Sequence, residues 1–215
     1  MARRLPVYLL IDTSSSMTGE PIEAVNEGMK LLVSSLRQDP QALESASLSV
    51  ITFDDAANVV VPLTDLLSFQ VPTLQVNGST MMGEGLSLVV DRVGAEVQKG
   101  TSEGERGDWR PLLFVMTDGA PTDRGDFERG VKRIKEIKFG AIVACAAGAQ
   151  ANESVLREIT ENVVKISTAD SKSIAAFFKW VSASVSVRSA SVNRSNDQSR
   201  DDALPPPPPE LTPIA

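Results

Sequence analysis

Residues 5–11 (Leu-Pro-Val-Tyr-Leu-Leu-Ile) form a nearly unbroken apolar run, closed at once by Asp12. A short run of this kind, bounded by polar residues, reads as a strand covered on both faces. Ile22, Val25, Met29, Leu32, Val33 and Leu36 then recur at helical spacing, with Pro21 near the start as a helix opener. Residues 48–53 predict a second strand and residues 57–63 another, joined by a hairpin turn at Asp54-Asp55. Leu86, Val89, Val90, Val93 and Val97 mark the next helix, followed by a polar, glycine-containing loop over 99–108. Residues 111–116 are a third buried run, ending at Thr117-Asp118-Gly119, and Phe127, Val131 and Ile134 mark a helix. A strand over 141–147, a short helix over 153–160 and a strand over 163–166 follow. Ile174, Phe177, Phe178, Val181 and Val185 make a terminal helix.

Strands alternating with helices predict an α/β fold: a doubly wound, mainly parallel sheet with helices on both faces and one antiparallel edge strand. Ligands in such sheets bind beyond the carboxyl ends of the strands. The pattern assigns residues 1–188 to this domain. From residue 189 the chain turns polar and then runs into Pro205 to Pro209. Residues 189–215 are therefore expected to be a disordered, exposed tail, dispensable for folding.

Composition narrows the chemistry. The 215 residues carry a net charge of -7 and no conspicuous basic run, which argues against nucleic acid as a partner. The chain has no histidine, so His-based acid–base and nucleophile chemistry and the usual zinc ligands are excluded. The single cysteine, Cys145, lies in an apolar run and is expected to be an inert core residue. The apolar run before Asp12 is too short for a secretory signal or a membrane span, so a cytoplasmic protein without membrane attachment is expected.

The chemistry-bearing segment is Asp12-Thr13-Ser14-Ser15-Ser16, directly after the first strand. A carboxylate and two hydroxyls at alternate positions of a turn can converge on one point. Such oxygen ligands suit Mg²⁺, Mn²⁺ or Ca²⁺. On its own the segment reads equally well as a helix cap with spare serines. Two further segments favour the metal. Thr80 lies in the loop before the second helix, and Asp118 ends another buried strand. Asp12 and Asp118 would share one edge of the sheet, where a dication between them relieves their repulsion.

Asp12-x-Ser14-x-Ser16, then Thr80, then Asp118, resembles the metal-ion-dependent adhesion site of von Willebrand factor A domains, over roughly residues 5–187. Ser15 stands where that family often has glycine. The resemblance implies a Rossmann-like A-domain fold. It implies direct metal ligation by Ser14 and Ser16, by Thr80 in a ligand-engaged state, and by Asp12 and Asp118 directly or through water. It also implies a partner protein whose Asp or Glu completes the metal's shell. Residues 5–12, Gly19-Glu20-Pro21-Ile22-Glu23-Ala24-Val25, residues 117–123 and Phe177-Phe178-Lys179-Trp180-Val181-Ser182 resemble a narrower group, the bacterial tellurium-resistance A-domain proteins of TerY-like type. That likeness implies a non-enzymatic scaffold in a stress response, working alongside a protein kinase and a PP2C-like phosphatase.

The rival reading is a metal-dependent phosphoryl-transfer enzyme. A haloacid-dehalogenase-like enzyme needs a second carboxylate two residues after Asp12, and Ser14 stands there. A receiver-like protein, with Asp54 as its phosphorylated residue, needs paired acids after the first strand, and Asp12 has no acidic neighbour. Met81-Met82 reads as an adaptable lip beside the site. Trp109 reads equally as a packed ring or an exposed partner anchor. Phe177, Phe178 and Trp180 are expected to be mostly core, with one of the three pointing away from the others, because adjacent helical positions do not share a face.

Overall fold

A computed structural model of the chain describes residues 3–100, 106–149, 151–194 and 204–214. In chain order the elements are β1 (Leu5–Asp12), α1 (Glu20–Gln38), α2 (Pro40–Ser45), β2 (Ala46–Phe53), β3 (Ala57–Asp65), α3 (Met82–Glu96) and β4 (Leu112–Thr117). They continue with α4 (Arg124–Glu136), β5 (Ala141–Ala147), α5 (Glu153–Ile159), β6 (Val163–Ile166), α6 (Ser171–Arg194) and β7 (Thr212–Pro213). The strands form one sheet in the order β3-β2-β1-β4-β5-β6-β7. The five central strands are parallel, and β3 runs antiparallel at one edge.

β1, β2 and β4 are buried at every position, as strands sandwiched between two helical layers must be. Side chains alternate between two cores. Val7, Leu9 and Ile11 pack with α1, α2 and α6, while Tyr8 and Leu10 pack with α3, α4 and α5. β3, on the edge, alternates between half-buried and exposed positions along most of its length. The strand order reverses at β1, whose neighbours β2 and β4 lie on opposite sides of it. The carboxyl ends of β1 and β4 therefore lie side by side at the switch point of the sheet. Among the described residues no helix is long and apolar enough to cross a membrane.

The carboxyl-terminal segment corrects the expectation of an exposed tail from residue 189. Helix α6 continues to Arg194, and residues 204–214 pack on the domain. Leu211 is buried, β7 pairs antiparallel with β6, and the Ile214 N–H donates to the Val163 carbonyl at 2.9 Å. The part of the expected tail at 195–203 and 215 lies outside the described residues. Composition misled because prolines cannot propagate a ladder, yet they can lie in an extended conformation on an edge strand or an aromatic ring. The ring is that of Trp180, whose indole N–H donates to the Pro205 carbonyl at 2.8 Å. The three aromatics of α6 also correct the expectation that one would point away from the others. Phe177 and Phe178 meet edge to face inside the core, and Trp180, with its ring centroid 6.4 Å from that of Phe177, is buried in the same core beside the proline segment. A chain ending at Arg188 would lose that cover, Leu211 and the seventh strand.

Candidate metal centre

Asp12 is the last residue of β1 and is fully buried. Its carboxylate accepts the Ser14 backbone N–H at 2.8 Å and the Thr117 hydroxyl, from the end of β4, at 2.5 Å. After Asp12 the chain makes a single 3₁₀ turn, Ser15–Met17. Met17 anchors that turn, because it is the apolar residue of an otherwise polar loop and is fully buried. The turn sets the Ser14 and Ser16 hydroxyls 3.0 Å apart, and Ser16 donates to an Asp118 carboxylate oxygen at 2.7 Å. Asp12, Ser14, Ser16 and Asp118 are thus joined in one cluster of oxygen atoms, buried at Asp12 and Ser14 and open at Ser16.

Thr80 stands beside this cluster rather than within it. It is buried against the Asp118-Gly119 loop, with its hydroxyl near the Gly119 Cα. Its backbone N–H donates to the Thr122 hydroxyl at 3.3 Å, and its carbonyl accepts the Thr122 N–H at 2.9 Å. All five residues expected from sequence therefore meet at one end of the sheet.

The electrostatics of the site favour a neighbouring cation. Burial pushes the carboxyl groups of both Asp12 and Asp118 above the ordinary range. The hydroxyl and N–H bonds at Asp12 oppose that rise, and the nearby charge of Asp118 adds to it. Among the described residues no lysine or arginine pairs with either carboxylate, and no three His, Cys, Asp or Glu side chains cluster as ligands. The cluster offers two carboxylates and the Ser14 and Ser16 hydroxyls, with the Thr80 hydroxyl alongside, a hard-oxygen set that fits Mg²⁺, Mn²⁺ or Ca²⁺.

Several supporting residues were not foreseen. Thr117 orients Asp12 while its own oxygen accepts the Gly119 N–H at 3.1 Å. Its place just before Asp118 was the available signal. Asp54-Asp55 is the turn expected, and it also ties the site loops together. The Asp54 carboxylate accepts from the Thr13 hydroxyl at 2.9 Å, and Asp55 accepts from the Ser79 N–H and hydroxyl at 2.8 Å. Gly78, whose carbonyl receives both the N–H and the hydroxyl of Ser15, has φ of +51°. A Cβ there would lie 2.0 Å from the Asp55 carboxylate, so glycine is required on both counts. Asp123 accepts from the N–H groups of Gly83 and Glu84 and so caps α3 from another loop. Met82 is core, while Met81 is half-buried at the start of α3. Trp109 packs in the core under the Arg3 guanidinium, which lies 3.7 Å from the ring centroid.

Comparison with known proteins agrees with this fold. An uncharacterized protein of Synechocystis sp. is 31% identical over 137 residues, an alignment spanning 60% of this chain and 29% of that relative. This chain therefore matches under a third of that relative's length. A von Willebrand factor type A structure from Catenulispora acidiphila superposes with a TM-score of 0.67 at 20% identity, covering 86% of this chain and 43% of that one. Proximal thread matrix protein 1 from the mussel byssus, with a zinc-occupied MIDAS motif, superposes with a TM-score of 0.59 at 21% identity, covering 87% and 46%. The model of the von Willebrand factor type A domain family matches residues 7–179, and the chain belongs to that family.

Proposed function

We propose that the chain is a protein-binding module that holds one divalent cation at Asp12, Ser14, Ser16, Thr80 and Asp118 and grips a partner's Asp or Glu side chain through it. The observation that carries this reading is one buried and one half-buried carboxylate with hydroxyl partners and, among the described residues, no cationic side chain. When bound, the cation supplies an electrophilic contact at the surface. Two carboxylates only neutralise its charge, and hydroxyl ligands leave it able to take a third anion. Asp12 is held from both sides by Ser14 and Thr117, so it is preorganised, while Ser16 is exposed on the face a partner would approach. Mg²⁺ is the proposed occupant, and Mn²⁺ or Ca²⁺ suit the same oxygen set. The distant mussel relative with zinc in its motif supports a divalent ion at this place in the fold.

The chain is further proposed to be a scaffold and not an enzyme. A haloacid-dehalogenase-like mechanism requires an acid where Ser14 stands, and a receiver-like one requires acids beside Asp12. On the narrower likeness to tellurium-resistance A-domain proteins, the setting is a cytoplasmic stress response, with a protein kinase and a PP2C-like phosphatase as partners.

The test is affinity capture with the full chain, in Mg²⁺ and in chelator, using wild type and the Ser14→Ala/Ser16→Ala variant. The expected result is a partner retained only by wild type in Mg²⁺ and lost when one of its own acidic residues is replaced. The same retained proteins under all conditions would overturn the metal bridge. Turnover of a generic phosphate ester that depends on Asp12 would favour the enzyme reading.

A further inference from the structure

We infer that the opposite end of the sheet carries a second binding site, for a multiply charged phosphate group. A cavity of about 930 Å³ opens there, lined by Arg3, by the end of α3 and the residues after it, by residues 106–111 and by residues 136–138. Its lining brings together Arg3, Lys99, Arg106, Arg110 and Lys138, five cations from four separate stretches of a chain whose net charge is -7. No run of sequence reveals the cluster, because only the fold assembles it.

Among the described residues, the carboxylates of the lining leave Lys99, Arg110 and Lys138 unpaired. Asp108 faces the same cavity, but Arg4 already holds both its oxygens, at 3.1 and 2.6 Å, and the Gln98 N–H adds a third bond at 2.8 Å. Among the described residues Glu136 is the remaining acidic residue of the lining. Lys99, Arg110 and Lys138 are exposed and make no hydrogen bond or ion pair with any described residue. Arg3 is fixed in place. Its Nε donates to the Gly107 carbonyl at 2.7 Å while its guanidinium lies on Trp109. Burial and then the nearby charge of Arg106 lower the Arg3 guanidinium from its ordinary value, a sign of cations brought together.

The rim is also preorganised. The Asp108 N–H donates to the Gln98 carbonyl at 2.8 Å, closing the neck of the loop. The two sides of that neck touch so closely that a Cβ on Gly107 would lie 2.3 Å from the Gly100 nitrogen. Lys99 and Arg106 therefore flank a fixed junction. A single carboxylate would neutralise one of these charges. A phosphate offers two or more charges and the paired oxygens that suit a guanidinium fork. The cations line a cavity rather than a long stripe, which fits a compact phosphate and not a nucleic-acid backbone. The phosphate can come on a small molecule or on a phosphorylated side chain.

The experiment titrates pyrophosphate into the full chain by calorimetry, with chelator present so that the metal centre takes no part. Saturable one-to-one binding is expected, weaker at higher salt and at least about tenfold weaker in Arg110→Ala/Lys138→Ala. Both residues are exposed, and an unchanged melting temperature checks that the variant is folded. Lys30→Ala, which removes an exposed cation from α1 paired with Glu27, should bind like wild type. Parallel titrations with ATP and with a phosphoserine peptide identify the source, and tighter binding of either one supports the site. Absence of saturation, equal affinity in the double variant, or an equal loss in Lys30→Ala would overturn it.

Discussion

At the amino-terminal end of the sheet, buried carboxylates sit beside arginines. At the carboxyl-terminal end they sit beside hydroxyls. Asp108, with a side chain only 3% exposed, is gripped by Arg4, and Glu96 is held by Arg92, the Tyr8 hydroxyl and the Leu63 N–H. Asp12 and Asp118 have Ser14, Ser16 and Thr117 in place of a cation. The same residue type is thus a finished structural element at one end and an unneutralised pair at the other. Burial of charge is tolerated when a counter-charge is built into the chain. Where the chain omits one, the counter-charge is to be sought from outside.

Breaking the built-in pair should have the largest effect. Arg4→Ala leaves Asp108 without its cation and is expected to cost about 2–3 kcal/mol, less than for a fully enclosed pair because Arg4 is one-third exposed. Urea denaturation should show the same loss with and without Mg²⁺. At the other end, Mg²⁺ at a hundredfold excess over its dissociation constant should stabilise wild type by about 2.7 kcal/mol and leave Asp12→Ala unchanged. Equal stabilisation of the two proteins would remove the contrast between the ends.

A smaller effect should carry the opposite sign. Asp118→Asn removes an uncompensated charge, so in chelator at neutral pH its melting temperature should rise by roughly 2–4 °C while the response to Mg²⁺ disappears. A fall in melting temperature would mean that Asp118 is as well satisfied as Asp108. The smallest effect is in pH. A carboxyl group whose pKa is raised by folding binds its proton more tightly in the native state, so its contribution favours folding at low pH and is lost as pH rises through the raised value. In chelator, wild type should therefore regain stability relative to Asp118→Asn as pH falls from neutral toward the ordinary carboxylate range. Asp55, Asp65 and Asp170 are held below their ordinary values by hydrogen bonds and act in the reverse sense, below that range. A difference between the two proteins that stays flat across this window would contradict the assignment.

The convergence of the candidate site residues was legible in sequence because they lie at the ends of long apolar runs, where strand boundaries are sharp. Asp12 and Asp118 each terminate such a run, and the alternation of strands and helices puts both at one edge of the sheet. The loop ties were less legible. Thr13, Asp54, Asp55 and Gly78 meet only because three loops converge, and each looks locally like ordinary turn chemistry. The carboxyl-terminal segment was misread for the same reason. Composition described Pro205 to Pro209 alone, whereas the Trp180 ring and the open edge of β6 that receive the segment lie elsewhere in the chain. The basic cavity was invisible because its cations come from four stretches, none of them basic by itself.

The central claim, that hydroxyls and two uncompensated carboxylates at this sheet end hold a cation, is tested most directly by calorimetric titration of Mg²⁺ into the full chain and into Ser14→Ala/Ser16→Ala. Wild type should bind one ion per chain. The variant should stay folded in chelator, with a melting temperature somewhat below wild type because the Ser16 hydroxyl that bonds Asp118 is gone, and show no saturable binding over the same concentrations. Equal affinity and stoichiometry in the two proteins would place the ion elsewhere and contradict the account.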